Sequence, residues 1–158
     1  MKVEQLMTRT VETCRPTDAL NAAARIMWEK DCGCVPVVTE EEGGARVVGM
    51  LTDRDICIGL ATRGRTASHV AAREVMSSTL HACFPDDEIT MALEMMKTSK
   101  VRRLPVIDGD GHLKGILSLN DIVLRSRPRA ASSPDRVVDA LKSICEHRRD
   151  KELVRATA

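Results

Sequence analysis

Two short motifs combine a hydroxyl side chain with a carboxylate three residues later, at points where a strand would lead into a helix. The first contains Thr52 and Asp55 and the second contains Ser118 and Asp121, each behind a glycine and two apolar residues. The carboxylate could accept both hydroxyls of a ribose, and the helix start could bind a phosphate. The same spacing is also that of a capping box, which closes a helix start without any ligand.

A second feature is the presence of Pro36 and Pro105, each inside a run of β-forming residues. Proline cannot donate to a strand ladder, so it is found at sheet edges or bulges. The simpler interpretation is an edge that discourages aggregation. The alternative is that backbone groups left free beside each proline hydrogen-bond the edge of a bound base.

The other reactive side chains predict no metal site. The four histidines match no zinc-motif spacing, and of the six cysteines only Cys32 and Cys34 lie close together. A catalytic or redox role for that pair is a minor hypothesis, because no histidine or other base accompanies it in sequence. In the absence of a secretory segment, we expect reduced thiols and a cytoplasmic chain.

Composition and charge restrict the classes of partner. The chain of 158 residues is 43% hydrophobic and 30% charged with a net charge of +1, so no global field attracts nucleic acid or an anionic bilayer. One Trp, one Phe and no Tyr exclude a stacking platform for single-stranded nucleic acid. A weak nucleic-acid hypothesis survives for the basic tail, which carries Arg125, Arg127, Arg129, Arg148 and Arg149.

The strongest evidence for how the chain is organised is an internal sequence repeat. Residues 3–60 match residues 72–125 at an offset of 69, which falls to 66 after a loop of different length. Two copies are too few for a solenoid, so we expect two halves packed about a pseudo-twofold axis. The matched pairs include Met7 with Met76, Cys14 with Cys83, Pro36 with Pro105, Gly49 with Gly115, and Asp55 with Asp121.

Each copy predicts the order β-α-β-β-α, which places the chain in the α+β class. In the first copy a helix starting at Thr17 or Asp18 would bury Leu20, Ala23 and Met27. The matching helix would carry Asp86 to Glu88 in its first turn. The other predicted elements are short extended pieces at 11–13 and 80–82, hairpin strands at 34–39, 46–51, 103–107 and 113–117, and second helices from Asp53 and Leu119.

These elements divide the chain into a first repeat at 3–62, a linker at 63–72 and a second repeat at 73–125. Residues 126–158 are predicted to form a basic linker and a C-terminal amphipathic helix. Ser133 is the expected N-cap of that helix, with Pro134 at the first helical position. Its expected apolar face consists of Val137, Val138, Leu141, Ile144 and Cys145.

The two copies resemble a tandem pair of CBS domains, which are regulatory modules named after cystathionine β-synthase. The resemblance covers residues 3–125 and rests on Leu6-Met7-Thr8, Val75-Met76-Ser77, the proline-containing strands and both hydroxyl–carboxylate motifs. It implies two related clefts between the repeats that bind AMP, ADP, ATP or S-adenosylmethionine as a regulatory ligand. It also implies a homodimer, no catalysis and no required cofactor.

The resemblance assigns roles to individual residues. Asp55 and Asp121 would hold ribose hydroxyls, with Thr52 and Ser118 helping at ribose or phosphate. Arg103 would be the best phosphate partner and Arg102 and Arg54 weaker ones, whereas the first copy has Cys34 in the position of Arg103, so the clefts should differ. The adenine would be framed by backbone at Thr10, Val11, Val35, Pro36, Thr79, Leu80, Leu104 and Pro105.

The leading hypothesis is therefore a non-catalytic sensor in which an adenosine ligand bridges the repeats and changes their relative orientation. The alternative is a ligand-free, homodimeric assembly or interaction protein of the same fold, with both motifs acting only as helix caps. Since no enzyme or channel domain is present in the sequence, we expect the chain to act on a separate effector protein.

Overall fold

Each repeat builds one antiparallel hairpin flanked by two helices, in a computed structural model that describes residues 1–125 and 134–146. The first repeat has α1 (Leu20–Glu29), β1 (Cys34–Glu41), β2 (Gly44–Thr52) and α2 (Asp53–Arg63). The second has α3 (Ile89–Ser99), β3 (Arg103–Ile107), β4 (Leu113–Ser118) and α4 (Leu119–Arg125). The C-terminal helix α5 (Pro134–Cys145) follows, and short 3₁₀ helices lie at Val3–Gln5, Ala67–His69 and Ala72–Glu74. The predicted α+β class is confirmed.

The two hairpins form separate two-stranded sheets, β1 with β2 and β3 with β4. Each has a bulge at the same place in the repeat, between Val37 and Val38 and between Val106 and Ile107. A bulge bends the strand and increases its twist. Both hairpins lie where the sequence predicted them, but β1 and β2 extend further than predicted toward the turn that joins them.

The predicted extended pieces at 11–13 and 80–82 form no strand, and only the residue after each makes a single bridge to the sheet. The Cys14 amide donates to the Pro36 carbonyl at 3.1 Å, and the Val38 amide donates to the Cys14 carbonyl at 2.9 Å. The next bond of a parallel ladder would need an amide hydrogen on Pro36, which proline lacks. Cys83 makes the equivalent single bridge to Val106.

The first helix of each repeat begins later than predicted. Helix α1 starts at Leu20, and Asp18 instead accepts the Arg15 amide at 2.7 Å in the preceding turn. Asp87 accepts the Phe84 amide at 2.8 Å in the same way, so the acidic run 86–88 precedes α3 rather than occupying its first turn. A carboxylate bonded to a backbone amide two or three residues away favours a turn over a helix.

The segment that precedes each repeat in the chain packs on the other repeat and adds to the edge of its sheet. Thr8 and Ile116 exchange two backbone hydrogen bonds of 2.9 Å, which adds the N-terminal segment to the edge of β4. Met50 and Ser77 make the equivalent pair at 3.0 and 2.9 Å on β2. We call residues 1–8 and 67–77 the crossing segments. Their exchange is the pseudo-twofold relation expected from the internal repeat.

The crossing segments contribute buried side chains to the cores they join. Val3, Leu6 and Met7 pack with the second repeat, while Val70 and Ala72 pack with the first. The predicted linker at 63–72 is therefore part of the first core at its C-terminal end. The remaining core members of the first repeat are Cys14, Leu20, Ala23, Met27, Val35, Val37, Leu51 and Ile56.

Helix α5 packs back on α3 of its own second repeat. Ala140 is 2% exposed, and Val137 and Ile144 pack against the same core. An ion pair of 2.7 Å between Lys97 and Asp139 fixes the contact from outside. The apolar face was predicted only in part, because Val138, Leu141 and Cys145 are exposed. The expected cap at Ser133 lies outside the described residues.

Within the two described ranges, no helix combines the length and the apolar character needed to cross a bilayer.

Candidate functional site

Both hydroxyl–carboxylate motifs form capping boxes. The Thr52 amide donates to Asp55 Oδ2 at 3.0 Å, and the Asp55 amide donates to Thr52 Oγ1 at 3.2 Å. In the second repeat the matching distances between Ser118 and Asp121 are 2.9 and 3.1 Å. Each box uses only one oxygen of the carboxylate, so it leaves the other oxygen for a second role.

The second oxygen of Asp121 has only long contacts. Its Oδ1 lies 3.5 Å from the Thr8 hydroxyl and 3.5 Å from Arg125 Nη2. Arg125 is held more firmly by the crossing segment, since Nη1 donates to the Leu6 carbonyl at 2.9 Å. Hydrogen bonds at 3.5 Å are weak, so a better-placed hydroxyl could replace these contacts.

This oxygen lies in a cleft of about 480 Å³ between the repeats. A volume of this order suits a nucleotide-sized ligand. The second repeat supplies residues from the start of β3, from β4 and from the start of α4. The first repeat supplies residues that lie before α1 and around the start of β1. The lining consists of Thr8, Thr10, Val11, Glu12, Lys30, Asp31, Cys32, Cys34, Arg102, Arg103, Ile116, Ser118, Asn120 and Asp121.

The cations of the cleft differ in how they are neutralised. Lys30 pairs with Glu12 at 3.2 Å. Arg102 and Arg103 make no ion pair within residues 1–125 and 134–146. The Arg102 carbonyl accepts the Leu119 amide at 2.9 Å, which fixes Arg102 beside the start of α4. The cleft thus holds two guanidinium groups and a half-free carboxylate.

The helix starts offer fewer free amides than the sequence suggested. In α4 the amides of Leu119 and Asp121 are bonded to Arg102 and Ser118. In α2 the Arg54 amide donates to Asp53 Oδ1 at 2.7 Å. These bonded amides are not available to a phosphate, because the Arg102 carbonyl, the Ser118 hydroxyl and the Asp53 carboxylate already satisfy them.

The prolyl carbonyls are not free either. Those of Pro36 and Pro105 each accept an amide at 3.1 Å, from Cys14 and Cys83. The predicted framing residues Val35 and Leu104 are fully buried in the two cores. The cleft is lined instead by the residue before each of them, Cys34, which is buried, and Arg103.

The cleft brings together part of the predicted site. Six predicted residues line it: Thr10, Val11, Arg102, Arg103, Ser118 and Asp121. The predicted residues Thr52, Arg54, Asp55, Thr79 and Leu80 lie outside it, at the positions related by the repeat. Where the second repeat has Arg102 and Arg103, the first has Gly33 and Cys34, so the two sides differ in charge.

Several lining residues were not predicted, among them Lys30, Asp31 and Asn120. The signal for Lys30 and Asp31 was the segment before β1, which matches residues 99–103 at the repeat offset, and those residues include the predicted Arg102 and Arg103. Asn120 matches the predicted Arg54 at offset 66. Applying the repeat to both walls of the cleft, instead of to one motif at a time, would have found these residues.

The cysteines fall into two classes. Burial raises the pKa of Cys14 and Cys34 to about 11 and that of Cys83 to about 12, although Arg103 partly opposes the rise at Cys34. These thiols stay protonated at neutral pH, which makes them poor nucleophiles. Cys32, Cys57 and Cys145 are exposed. The arrangement does not resemble an activated redox pair.

Thiol titration should separate these classes. We expect a disulfide reagent at pH 7.5 to label Cys32, Cys57 and Cys145 rapidly and the other three only after denaturation, because burial blocks both access and ionisation. The folded pKa values of these three thiols lie above the ordinary value of 9.0. The free energy of unfolding should therefore fall as the pH rises past that value, because the unfolded chain then loses thiol protons that the folded chain retains. Rapid labelling of four or more thiols in the native protein would contradict the assignment.

The comparisons with known proteins agree with this architecture. A family model described as "CBS domain" matches residues 3–61 and 72–127. An uncharacterized protein of Methanopyrus kandleri, MK0525, is 32% identical over 123 residues. That match covers 78% of this chain but 61% of the relative, so the relative is the longer protein.

Hypoxic response proteins are similar to this chain in both sequence and structure. Hypoxic response protein 1 of Mycobacterium tuberculosis is 34% identical over 81% of this chain and 82% of its own. The structure of Hypoxic Response Protein I, solved with two coordinated zinc ions, has a TM-score of 0.72 at 30% identity and covers 80% of this chain and 100% of that chain.

The CBS domain pair of protein MJ0100 was solved with 5′-methylthioadenosine and S-adenosyl-L-methionine. It has a TM-score of 0.68 at 23% identity over 78% of this chain and 93% of that one, a likeness that shows the fold alone. The family match and the shared fold are decisive together. The chain belongs to the CBS domain family, and its two repeats form a CBS pair, a non-catalytic regulatory module.

Proposed function

We propose that this CBS pair is a sensor that binds one adenosine nucleotide in the cleft between its repeats. The observation that supports the proposal best is that a half-free carboxylate, Asp121, and two guanidinium groups without ion pairs among the described residues line the same cleft of about 480 Å³. A ribose and its phosphates require these two kinds of partner.

The ligand placement follows from the positions of these groups. Ribose hydroxyls would donate to Asp121 Oδ1, where they replace the 3.5 Å contacts with Thr8 and Arg125. Phosphate oxygens would accept from Arg102 and Arg103. The adenine would lie against the backbone of 10–11 and the side chain of Ile116, which is the apolar part of the lining.

The charge of the cleft favours phosphate-bearing ligands. Because neither arginine has a carboxylate partner in the described part of the chain, a phosphate gains two charge-assisted contacts at little cost in lost ion pairs. S-adenosylmethionine would instead bring a sulfonium cation toward those arginines. We therefore place AMP, ADP and ATP ahead of S-adenosylmethionine as the ligand of this chain.

A ligand in this cleft contacts both repeats, which is how it could regulate. It would change their relative orientation only to the extent that it binds one arrangement more tightly than another. The effector could be a separate protein that recognises that arrangement. Exposed apolar side chains on the helices, such as Trp28, Met91 and Leu124, also favour a homodimer or an assembly role as a second function.

A thermal-melt series with AMP, ADP, ATP, S-adenosylmethionine and NAD tests the proposal, using Asp121→Ala and Asp55→Ala as a matched pair. Both variants lose one capping box and should lose a similar amount of stability, about 0.5–2 kcal/mol. Only Asp121→Ala should also lose the ligand effect. A ligand at 100 times its Kd stabilises the wild type by about 2.7 kcal/mol, which is several degrees in Tm.

The outcomes separate the hypotheses. A shift that persists in Asp55→Ala and disappears in Asp121→Ala supports the proposed cleft. A shift lost only in Asp55→Ala would move the site to the other side of the pair. If no nucleotide shifts the wild type, the motifs are helix caps alone and the assembly role takes precedence.

A further inference from the structure

The hairpin turns of the two repeats meet in a second pocket, which shares no residue with the nucleotide cleft. The Val47 amide donates to the Gly111 carbonyl at 3.1 Å, and Arg46 and His112 form a bridge between β2 and the turn before β4. The pocket is lined by the acidic residues Glu41, Glu42, Asp108 and Asp110, together with Gly43, Arg46, Gly109 and His112. Its carboxylates outnumber its cations.

The imidazole of His112 is the unusual group in this pocket. The residue is 9% exposed, the only buried polar or charged residue within residues 1–125 and 134–146. Its ring packs on the first repeat's turn so closely that a Cβ at Gly43 would lie 3.0 Å from it. Its Nδ1 has one long contact, 3.5 Å to Asp108 Oδ2, and Nε2 makes no hydrogen bond in the described part of the chain, although a buried imidazole is normally well bonded.

The imidazole faces two carboxylates. His112 Nδ1 lies 3.5 Å from Asp108 Oδ2, and one ligand atom from each of His112, Asp108 and Asp110 falls within 4.8 Å of the others. A tetrahedral zinc ion with bonds of about 2.0–2.1 Å separates its ligand atoms by roughly 3.3 Å. The three side chains could therefore close on one ion with small rotamer changes.

We propose that Asp108, Asp110 and His112 form a binding site for a divalent transition-metal ion, with Zn²⁺ as the best-matched ion. Imidazole with carboxylates suits Zn²⁺ better than Ca²⁺ or Mg²⁺, which prefer oxygen ligands alone. Three protein ligands leave a fourth position for water. Glu42 lies in the same pocket but outside the three-residue cluster.

The turn already orients Asp108 for this role. Its Oδ1 accepts the amides of Asp110 and His112 at 3.1 and 2.9 Å, which holds the carboxylate in place. The other oxygen, Oδ2, contacts Lys114 Nζ at 2.8 Å. The Lys114 side chain is 44% exposed, so it can move into solvent when a metal ion takes its place. Lys114 thus competes with the metal for Asp108.

The site would connect the metal to the contact between the repeats. His112 packs on Gly43 and Gly44 of the first repeat, while all three ligands belong to the second. Metal binding would fix the imidazole in one orientation and so stiffen this contact. It would do so without occupying the nucleotide cleft.

Zinc titration of the metal-stripped full chain tests the site, in a background carrying Cys32→Ser, Cys57→Ser and Cys145→Ser to remove the exposed thiols. Asp110→Asn is the decisive variant, because its side chain is exposed and makes no hydrogen bond in the described residues. Glu42→Gln is the matched control from the same pocket. Lys114→Gln removes the competing cation.

We expect one Zn²⁺ per chain by calorimetry, at least ten-fold weaker binding in Asp110→Asn and unchanged binding in Glu42→Gln. Lys114→Gln should bind zinc several-fold more tightly, an increase that a purely structural role of the turn would not produce. Failure of the wild type to bind zinc at micromolar concentration would overturn the site, as would equal affinity in Asp110→Asn. Nucleotide binding is measured separately, so either proposal can fail alone.

Discussion

Gly115→Ala is expected to lower the free energy of unfolding by roughly 2–4 kcal/mol, because overpacking costs about 1–3 kcal/mol and each displaced hydrogen bond about 1 kcal/mol. A Cβ on Gly115 would lie 2.7 Å from the Thr8 carbonyl oxygen and 3.1 Å from Met7 Sδ. Thr8 cannot retreat without breaking both of its hydrogen bonds to Ile116. Urea unfolding measures the loss.

Gly109→Ala is the matched control in the same repeat. A Cβ there would meet no atom within 4 Å, and the residue does not have a positive φ. We expect its stability to stay within about 0.5 kcal/mol of the wild type. Gly49→Ala should behave like Gly115→Ala, since its Cβ would lie 2.8 Å from the Ser77 carbonyl. Equal stability of Gly115→Ala and Gly109→Ala would contradict the role of the crossing segment.

Ala140→Glu should detach α5 from α3 and destabilise the second repeat by up to about 3–5 kcal/mol, the cost of an uncompensated buried charge. Ala140 is 2% exposed and packs on α3 with Val137 and Ile144. The loss cannot exceed the docking energy of α5, because the helix can leave the surface. Faster proteolysis within α5, together with a lower urea midpoint, would show detachment.

Val138→Glu serves as the control for this substitution. It places the same charge two residues earlier on α5, at a side chain that is 47% exposed. We expect little change in the urea midpoint and no faster proteolysis, because the new carboxylate stays in water. Equal destabilisation by the two substitutions would mean that the structure assigns the wrong face of α5 to α3.

The sequence predicted the hairpins and the second helices well, because their patterns are local. A proline-containing β run, a glycine-rich turn and a capping motif each depend on residues close in the chain. The capping boxes at Thr52 and Ser118 formed as the simpler interpretation required. The same pattern could not reveal that one oxygen of Asp121 would face a cleft built partly by the other repeat.

The crossing segments could not be predicted from local pattern. Residues 1–8 and 67–77 contain short 3₁₀ turns with no sustained apolar period, and their partners lie in the opposite repeat. The glycine that opens both motifs is explained by that approach more than by a ligand, since the missing Cβ of Gly115 makes room for Thr8 and Met7. Gly115, the first residue of a motif that resembles a ligand-binding element, is thus required for packing.

The face of α5 shows a second limit. Its apolar residues cover a wide stripe, and the sequence cannot say which half of the stripe meets the core. The small Ala140 allows the two helix backbones to approach, so the buried line runs through Val137, Ala140 and Ile144. The larger Val138 and Leu141 remain in contact with solvent.

The exchange of crossing segments sets an order of events during synthesis on the ribosome. The first core needs Val70 and Ala72, so it can close only once the chain has emerged through its second crossing segment. The N-terminal segment must wait longer, because its partner strand β4 is made more than a hundred residues later. Val3, Leu6 and Met7 therefore stay exposed while most of the chain is translated. We expect chaperones that bind short apolar stretches to find a site in this segment of the nascent chain.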